Sequence, residues 1–369
     1  MEINAVGIIG AAGAGAELAE LFARNGLQVR LYDGFKDGLA LALAKLTWSL
    51  RRGGKAELLE NIEGVQDLAK FRGADLVLES VCMPAEERKV CLGKLLRQLE
   101  PGCLVGLNCA VRPLAGAIEA CGLPPERTLG FNFAGPVRAN QLAEIVRTDM
   151  TADGALGTAE ALLRRLGKTP VIVKDNPGQI VERLALPYLL GALRLLEAGK
   201  GSPCEIDAAF REVSGAAAGP FEAADMAGLD ARSEAAEFLY AALGRPERLA
   251  PSPALRRLVQ YGQLGRKATV GFYLYEDGAV AGENPELPNL VKYLGLRKAA
   301  AEEIFAEIMR PVLEEAKLLA PEIMASEYDI ETAARLAFGW PKGPFAYGRD
   351  CGRLLERKRV SEFDRLDNF

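Results

Sequence analysis

The N-terminal residues alternate between short apolar runs and amphipathic stretches. Residues 5–9 (AVGII) are apolar throughout, as in a strand that is buried on both faces. Residues 17–25 carry apolar side chains at helical spacing, and Gly26 follows as the expected helix cap. A second apolar run, residues 27–32, predicts another strand. This order of elements predicts a βαβ unit at the start of the chain.

Further short apolar runs alternate with helical patterns in the first half of the chain. They lie at residues 75–79, 103–107, 128–133, 142–146 and 171–173. Such alternation predicts an α/β fold with a doubly wound sheet of the Rossmann type. Beyond residue 176 the pattern is helical, and residues 177–199 predict one long apolar helix that is kinked at Pro187. We therefore expect a Rossmann-type domain followed by two tandem all-helical domains.

One pattern in the C-terminal half occurs twice. It consists of an isoleucine, a glycine nine residues later and a Gly-Pro-Phe triplet that begins four residues beyond, and it starts at Ile206 and again at Ile330. Matched intervals of this kind indicate a duplicated helical unit, and residues 276–290, rich in glycine, proline and acid, predict a linker between the copies. The predicted domains are residues 1–176 (dinucleotide-binding), 177–275 (first helical copy), 276–299 (linker) and 300–369 (second, degenerate helical copy).

The turn between the first strand and its helix has the composition of a dinucleotide-binding loop. Gly10 suits the tight turn, Gly15 allows close packing of helix and strand, and a pyrophosphate would rest on the helix N-terminus. Ala12 departs from the pattern, because its methyl group lies where backbone and pyrophosphate should touch; Gly13 would let the loop shift. Asp33 is placed to accept from a ribose 2′-hydroxyl and to repel a 2′-phosphate, which predicts NAD rather than NADP. The alternative is a Rossmann-like domain that has lost its cofactor.

Composition narrows the class of protein. The chain has 369 residues, of which 49% are hydrophobic and 26% charged, and its net charge is −5, so we expect no binding to nucleic acid. No apolar run reaches the ~20 residues of a membrane span, and no signal-peptide pattern precedes the first strand. The seven cysteines form no C-x-x-C pair and the chain has no histidine. We therefore expect no metal site and a reducing cytoplasm.

Four segments together resemble the 3-hydroxyacyl-CoA dehydrogenase family. Residues 74–81 (ADLVLESV) resemble its third-strand signature, and residues 106–111 (GLNCAV) resemble its Asn-Thr-Ser-Ser-Leu turn. Residues 130–136 (GFNFAGP) are similar to its Gly-Leu-His-Phe-Phe-Asn-Pro, and residues 174–184 (KDNPGQIVERL) to its Asp-x-Pro-Gly-Phe-Ile-Val-Asn-Arg-Leu. The spacing agrees throughout, and the resemblance covers essentially the whole chain. It implies an NAD-dependent oxidoreductase that acts on a CoA thioester.

The resemblance also places the family's catalytic positions on residues of different chemistry. The catalytic histidine falls on Asn132, while its partner glutamate is kept as Glu144. The serine that contacts substrate and nicotinamide falls on Ala110, and the asparagine of the interdomain helix falls on Glu182. By the resemblance, then, the site of chemistry is largely replaced.

Around the cofactor the resemblance is closer. The asparagine of the turn is kept as Asn108, a basic residue at the cofactor is kept in kind as Arg88, and the lysine ahead of a Gly-Phe-Tyr triplet is kept as Lys267. A second asparagine near the nicotinamide falls on Gly135, and a glutamate near the cofactor ribose falls on Met83. The implied cofactor site is thinned but recognisable.

The missing imidazole matters most for the chemistry. A tuned base contributes ~10²–10⁴-fold to alcohol oxidation, and an asparagine amide cannot take the proton, although its NH₂ group can donate to Glu144. Pro177 fits the first helical position, which would put Glu182 in the second turn. There Glu182 would either share a proton with Glu144 and gain a raised pKa, or pair with Arg183 or another cation.

Three functions therefore stay open: an oxidoreductase whose base is Glu182 or Glu144, a non-catalytic binding or partner subunit, and a different reaction on a related acyl substrate.

The basic stretch at residues 49–55 predicts either contact with the phosphates of a CoA tail or a solvated turn. In single-copy members of the family the helical domain forms the dimer. A tandem copy would supply that partner within one chain, so we expect a monomer with an internal pseudo-dimer, or a homodimer.

Overall fold

The computed structural model of the chain describes residues 2–80, 85–291 and 299–350. The chain divides into two compact units, Met1–Gln179 and Ile180–Phe369. The first unit is α/β and the second is mainly helical, so the predicted fold class is confirmed. Within the described ranges, no helix is long and apolar enough to cross a membrane.

The first unit is built on one sheet of eight strands. In chain order they are β1 (Ala5–Ile9), β2 (Gln28–Tyr32), β3 (Ile62–Val65), β4 (Leu76–Glu79), β5 (Leu104–Asn108), β6 (Thr128–Phe133), β7 (Leu142–Arg147) and β8 (Thr169–Lys174). Across the sheet the order is β3-β2-β1-β4-β5-β6-β7-β8, and every neighbouring pair is parallel except β6 and β7. The strand order reverses between β1 and β4, which is the position at which such sheets bind ligands.

Helices cover the sheet of the first unit. They are α1 (Ala14–Arg24), α2 (Lys36–Arg52), α3 (Ala85–Leu96), α4 (Leu114–Cys121) and α5 (Asp153–Arg165). Strand β4 (LVLE) is buried along its whole length, as expected for a central parallel strand. Strand β3 (IEGV) was not predicted from the sequence. It is an edge strand whose glutamate and glycine are exposed, so its composition lacks the continuous apolar run of the central strands.

In its described residues, the second unit consists of helices and one hairpin. The helices are α6 (Val181–Glu197), α7 (Pro203–Ser214), α8 (Pro220–Ala227), α9 (Leu229–Ala242), α10 (Pro253–Gln260), α11 (Leu287–Leu290), α12 (Ala301–Glu322) and α13 (Glu327–Phe338). Helix α6 packs on α12, and Gly191 permits their close approach, since a Cβ there would lie 3.3 Å from the Cα of Ile308. The buried guanidinium of Arg183 on α6 donates to Glu315 and Glu322 on α12. Packing and charge both join these two helices.

The two halves of the predicted repeat have the same local structure. Ser202 and Ser326 each begin a helix with a capping box, and Gly215 and Gly339 each end that helix in the left-handed conformation. The carboxylate of the residue after each repeated isoleucine accepts hydrogen bonds from the backbone amides of the following Gly-Pro-Phe turn. The two halves therefore share their caps and their turn contacts, and the duplication stays a prediction.

The start of α6 differs from the prediction. We expected the helix from residue 177, but it begins at Val181 because Gly178 and Gln179 both have positive φ values, 80° and 47°. The amide of Gly178 donates to the carbonyl of Val111 at 2.9 Å, which holds this turn to the first unit's own backbone. Glu182 consequently lies in the first helical turn, not the second.

The predicted linker also differs from the structure. Strands β9 (Tyr273–Glu276) and β10 (Ala279–Glu283) pair there as an antiparallel hairpin. The turn between them is Asp277-Gly278, where both residues have positive φ, as two-residue hairpin turns require. The aspartate and glycine that we interpreted as linker composition are hairpin residues.

Candidate active site

The dinucleotide-binding loop lies at the reversal of strand order, after β1. Gly10 has a φ of 96°, and its amide donates to the carbonyl of Tyr32 at the end of β2. Gly15 is required by packing, because a Cβ there would lie 1.7 Å from the carbonyl oxygen of Gly10. Helix α1 begins directly after the loop, and the N-terminus of a helix is suited to bind a pyrophosphate.

Two further residues of the loop bear on cofactor binding. Ala12 is exposed, so its methyl group stands at the surface of the loop. Gly13 has a φ of 55°, and no atom would lie within 4 Å of a Cβ added to it, so the space beside the loop is open. The loop therefore has room beside the Ala12 methyl group, and its residues fit a dinucleotide.

Asp33 holds the same loop in place. One carboxylate oxygen accepts from the amide of Ala11 and the other from the amide of Phe35, both at 2.9 Å. Each carboxylate oxygen keeps a second lone pair, so Asp33 can still accept from a ribose hydroxyl. The carboxylate that was predicted to select the cofactor is thus also bonded to the backbone of the predicted cofactor-binding loop.

A cavity of about 110 Å³ lies beside this loop, at the carboxyl ends of β4, β5 and β6. Its small and polar lining residues are Ala14, Glu79, Ser80, Asn108, Ala110 and Asn132. Three of these, Asn108, Ala110 and Asn132, were singled out from the sequence, and the structure brings them together. At ~30 Å³ for each water molecule, the cavity has room for about three or four.

Asn132 is fixed by Glu144, as the sequence predicted. The two residues are directly opposite each other in the antiparallel pair of β6 and β7, and the Nδ2 of Asn132 donates to the carboxylate of Glu144. Glu144 is fully buried. With its NH₂ group held by Glu144, Asn132 can offer only its carbonyl oxygen as an acceptor, and it cannot take up a proton.

Glu79 is the site residue that the sequence did not single out. It was quoted only within the third-strand signature, yet the residue is among those that line the cavity, and its side chain is buried. Arg88 on α3 donates to one oxygen of Glu79, and the other oxygen has no hydrogen-bond partner among the described residues. Burial raises the pKa of Glu79 above its ordinary value, although the charge of Arg88 opposes this.

Arg88 itself was predicted at the cofactor. In the structure its guanidinium is held by the carboxylate of Glu79. Gly135, which matches a family asparagine near the nicotinamide, follows β6 and has open space at its Cβ position. Met83, matched to a glutamate near the ribose, lies outside the described residues.

The predicted site residues of the second unit are both engaged in ion pairs. Glu182 accepts from Arg232 on α9, and Lys267 donates to both oxygens of Asp230 at 2.6 Å. Of the two interpretations of Glu182, pairing with a cation is the one that the structure has. The cation is Arg232; Arg183 is bonded to α12 instead.

The basic stretch after the first βαβ unit forms an exposed surface on α2. Trp48 has 64% of its area exposed, and the guanidinium of Arg52 lies 5.0 Å from the centre of its ring. An open depression of about 500 Å³ is lined by Trp48, Arg51 and Arg52 together with two small residues. An aromatic ring beside two guanidinium groups is suited to bind a purine ring and phosphates.

Comparison with known proteins assigns the family. The 3-hydroxyacyl-CoA dehydrogenase NAD-binding domain model matches residues 5–176, and the C-terminal domain model of that family matches residues 178–275. A probable 3-hydroxybutyryl-CoA dehydrogenase of Deinococcus radiodurans is 31% identical over 277 residues, which are 73% of this chain and 99% of the relative.

Solved structures agree with this assignment. The 3-hydroxybutyryl-CoA dehydrogenase of Escherichia coli K12 is similar with a TM-score of 0.81 and 25% identity, over 95% of this chain and 92% of that one. FadB2 of M. tuberculosis is similar with a TM-score of 0.71 and 30% identity, over 75% of this chain and all of that one (100%). Because both family domains are matched and the loop at the sheet reversal fits a dinucleotide, the chain belongs to the 3-hydroxyacyl-CoA dehydrogenase family and contains its NAD-binding domain.

Proposed function

We propose that this protein is a slow NAD-dependent oxidoreductase that interconverts the 3-hydroxy and 3-oxo forms of an acyl-CoA thioester. The observation that carries the proposal is one shared cavity. Ala14, at the N-terminus of the helix that receives the dinucleotide, lines the same cavity as Asn132 and Ala110, the family's catalytic positions. A cofactor on the loop and a hydroxyl group at Asn132 would therefore be neighbours.

The names of the relatives favour a short acyl chain. Both the Deinococcus radiodurans and the Escherichia coli proteins are described as 3-hydroxybutyryl-CoA dehydrogenases. We therefore choose 3-hydroxybutyryl-CoA and acetoacetyl-CoA as the substrates to test. The cytoplasm stays our prediction for the compartment, on the cysteine pattern alone.

The retained residues would orient a substrate rather than deprotonate it. Glu144 holds the Asn132 amide, whose carbonyl oxygen can accept a hydrogen bond from the substrate hydroxyl. Ala110 provides no hydroxyl donor for the substrate oxygen. NAD, when bound, supplies the hydride acceptor at this position. Without the imidazole the rate would fall ~10²–10⁴-fold, which is why we propose a slow enzyme.

The CoA tail would be bound by the exposed surface of α2. Arg51 and Arg52 provide two guanidinium groups for phosphates, and Trp48 provides a ring face for adenine. Replacing both arginines with glutamine should weaken acetoacetyl-CoA binding by about tenfold or more and leave NADH binding unchanged. Calorimetric titration with each ligand measures this, and Lys45→Gln, on the same helix, is the charge control.

The decisive experiment separates binding from turnover. NADH and acetoacetyl-CoA are titrated separately by calorimetry, and NADH oxidation is then followed in a single turnover with enzyme in excess. Binding of both ligands with slow oxidation is the expected result. If both ligands bind but no oxidation occurs at any pH, the second candidate function, a non-catalytic binding subunit, is favoured. The observation behind that candidate is Asn132, which is bonded to Glu144 and is not a base. Failure to bind NADH would defeat both.

A further inference from the structure

Helix α1 and strand β6 both contribute side chains to the cavity. Ala14 and Leu18 come from α1, and Asn132 and Phe133 come from β6. The dinucleotide-binding loop leads directly into α1, so this helix would place the cofactor, whereas β6 would place a substrate that binds at Asn132. The position of α1 relative to the end of β6 therefore matters for any reaction between the two ligands.

Glu17, in the first turn of α1, joins this helix to the chain that follows β6. Its carboxylate accepts a hydrogen bond from the backbone amide of Val137 at 2.6 Å. Val137 is buried and belongs to residues 134–141, the β6–β7 connection. This connection joins the strand that carries Asn132 to the strand that carries Glu144. One side chain of the cofactor-binding helix thus holds the backbone between the two bonded residues of the site.

A lysine holds the other side of Val137. The Nζ of Lys168, directly before β8, donates to the carbonyl of Val137 and to the carbonyl of Asn140, the latter at 2.6 Å. Burial lowers the pKa of Lys168, and the negative charge of Glu17 opposes this, so the two charges are close enough to interact. Hydrogen bonds to ionised groups are stronger than those between neutral groups. The N–H and the C=O of Val137 are therefore both held by charged side chains.

Glu20, further along α1, contacts the same connection through a side chain. Its carboxylate accepts from Arg138 at 3.2 Å and also from Arg24 on its own helix. The side chain of Arg138 is 59% exposed, and ion pairs that are open to solvent contribute little. Glu17 differs from Glu20 because it bonds a buried backbone amide directly.

Resting on the proposed function, we propose that Glu17 is a positioning residue for hydride transfer. It holds the β6–β7 connection to the helix that receives the cofactor, and it thereby fixes Asn132 relative to the nicotinamide of a bound NAD. Glu17 acts through Val137 and takes no part in the bond changes. A misplacement of about 1 Å can cost ~10²-fold in rate, so a contact that sets the position of two reactants has a large effect on the chemical step.

The test compares Glu17→Met with Glu17→Gln. Both new side chains are uncharged and close in length to glutamate, but glutamine has a carbonyl oxygen for the Val137 amide, whereas the thioether of methionine is a weak acceptor. At saturating acetoacetyl-CoA, we expect Glu17→Met to lower the single-turnover rate of NADH oxidation at least ~10-fold while NADH affinity stays within ~3-fold. Glu17→Gln should keep both. Glu20→Gln, which removes a charge from the same helix, is the control and should also keep both.

A second readout needs no turnover. In protein that contains isotope-labelled asparagine, the side-chain amide signal of Asn132 is identified by its loss in Asn132→Asp. This signal should shift when NADH binds, because the nicotinamide ring would lie beside it. At equal saturation with NADH, the shift should be kept in Glu17→Gln and Glu20→Gln and reduced at least ~2-fold in Glu17→Met, since the ring would no longer be held in place. If Glu17→Met is too unstable to study, Glu17→Ala, which retains helix propensity, replaces it.

The outcomes are distinguishable. Loss of rate and of the Asn132 shift in Glu17→Met, with both kept in Glu17→Gln, is the expected result. An unchanged Asn132 shift in Glu17→Met would overturn the inference and leave the proposed function intact, and so would an equal effect of Glu20→Gln. If the unaltered protein binds NADH without oxidising it, the proposed function fails, and the Asn132 shift alone decides the positioning role. Absence of that shift in the unaltered protein would refute the role outright.

Discussion

At the scale of single residues, charge and hydrogen-bonding capacity decide what the cavity can do. Asn132 presents a fixed acceptor where the resemblance predicts a base, and Ala110 presents a methyl group where the resemblance predicts a hydroxyl. Each carboxylate oxygen of Asp33 accepts one backbone hydrogen bond, from Ala11 in the dinucleotide-binding loop and from Phe35. Substitutions at Asp33 should therefore change the choice of cofactor, and substitutions at Asn132 and Ala110 should change the chemical step.

Replacing Asp33 with asparagine should narrow the preference for NADH over NADPH. The unaltered protein should bind NADH at least ~10-fold more tightly, about 1.4 kcal/mol, because the carboxylate repels a 2′-phosphate. An asparagine oxygen can still accept from Ala11, so the loop should persist while the repulsion is lost. Calorimetry with both cofactors measures the ratio, and Asp37→Asn, an exposed acid on α2, controls for net charge. Equal affinities in the unaltered protein would refute the role of Asp33.

Restoring the family residues should restore rate in stages. Asn132→His alone should raise turnover only modestly, because Ala110 still provides no hydroxyl donor. The triple variant Asn132→His, Ala110→Ser and Glu182→Asn should recover more of the ~10²–10⁴-fold loss, about 3–5 kcal/mol of transition-state stabilisation, with Glu144 in place to orient the ring. Single-turnover kinetics measure each step. The double variant without the histidine is the control, and brisk turnover by the unaltered protein would show the site to be competent as it stands.

At the scale of elements, buried carboxylates tie turns to helices. Asp207 on α7 accepts from the amides of Phe221 and Glu222 and from the hydroxyl of Tyr273 on β9. It thereby holds the start of α8 and one strand of the hairpin at once. Among the described residues, the equivalent carboxylate in the second half of the repeat, Glu331, accepts from the backbone amides of Gly343, Phe345 and Ala346.

This contact makes stability depend on pH. Burial raises the pKa of Asp207 from its ordinary 3.8 to about 7, against the opposing effect of its three donors. The folded state therefore binds the proton more tightly, so the stability that it contributes is full below about pH 4 and declines as pH rises to 7. Urea unfolding measured between about pH 4 and pH 7 should give a free energy of unfolding that falls as the pH rises. Asp207→Asn should remove this pH dependence. Tyr273→Phe, which leaves the carboxyl group in place, should keep the slope; the same slope in both variants would exclude Asp207 as its source.

At the scale of the whole molecule, the second half of the repeat covers the first. Helix α12 packs on α6, and the buried Arg183–Glu315 pair joins them. The two domain models of the family match residues 5–176 and 178–275, a match that ends before α12. A chain without α12 would expose the apolar face of α6 and would remove Glu315 and Glu322 from Arg183, which is costly.

We therefore expect the full chain to be monomeric and a chain that ends at Val291 to self-associate. In the shorter chain only a second copy could cover α6, whereas the full chain carries that cover itself. Light scattering after gel filtration gives both masses. Arg183→Met in the full chain is a useful companion, since it weakens the contact without removing α12. A full chain that dimerises, beside a shorter chain that stays monomeric, would contradict the role given to α12.

Much of this protein follows from its sequence. The first βαβ unit and the positions of the central strands were predicted, and the repeat at Ile206 and Ile330 was found, because their signals are local. Apolar periodicity, a glycine at a required positive φ and a serine cap act between residues that are near in the chain. The hydrogen bond between Asn132 and Glu144 was also predicted, since the resemblance supplied the pairing and amide chemistry supplied the donor.

Tertiary structure alone decided the remainder. The edge strand β3 forms because β2 offers an open side, not because its own residues favour a strand strongly. Glu182 pairs with Arg232, fifty positions away, and Glu79 becomes the ionisable group of the cavity only when β4 lies beside β5. Burial, pairing and shared cavities depend on which distant elements pack together, and the free energy of a carboxylate depends on that environment more than on its neighbours in the chain.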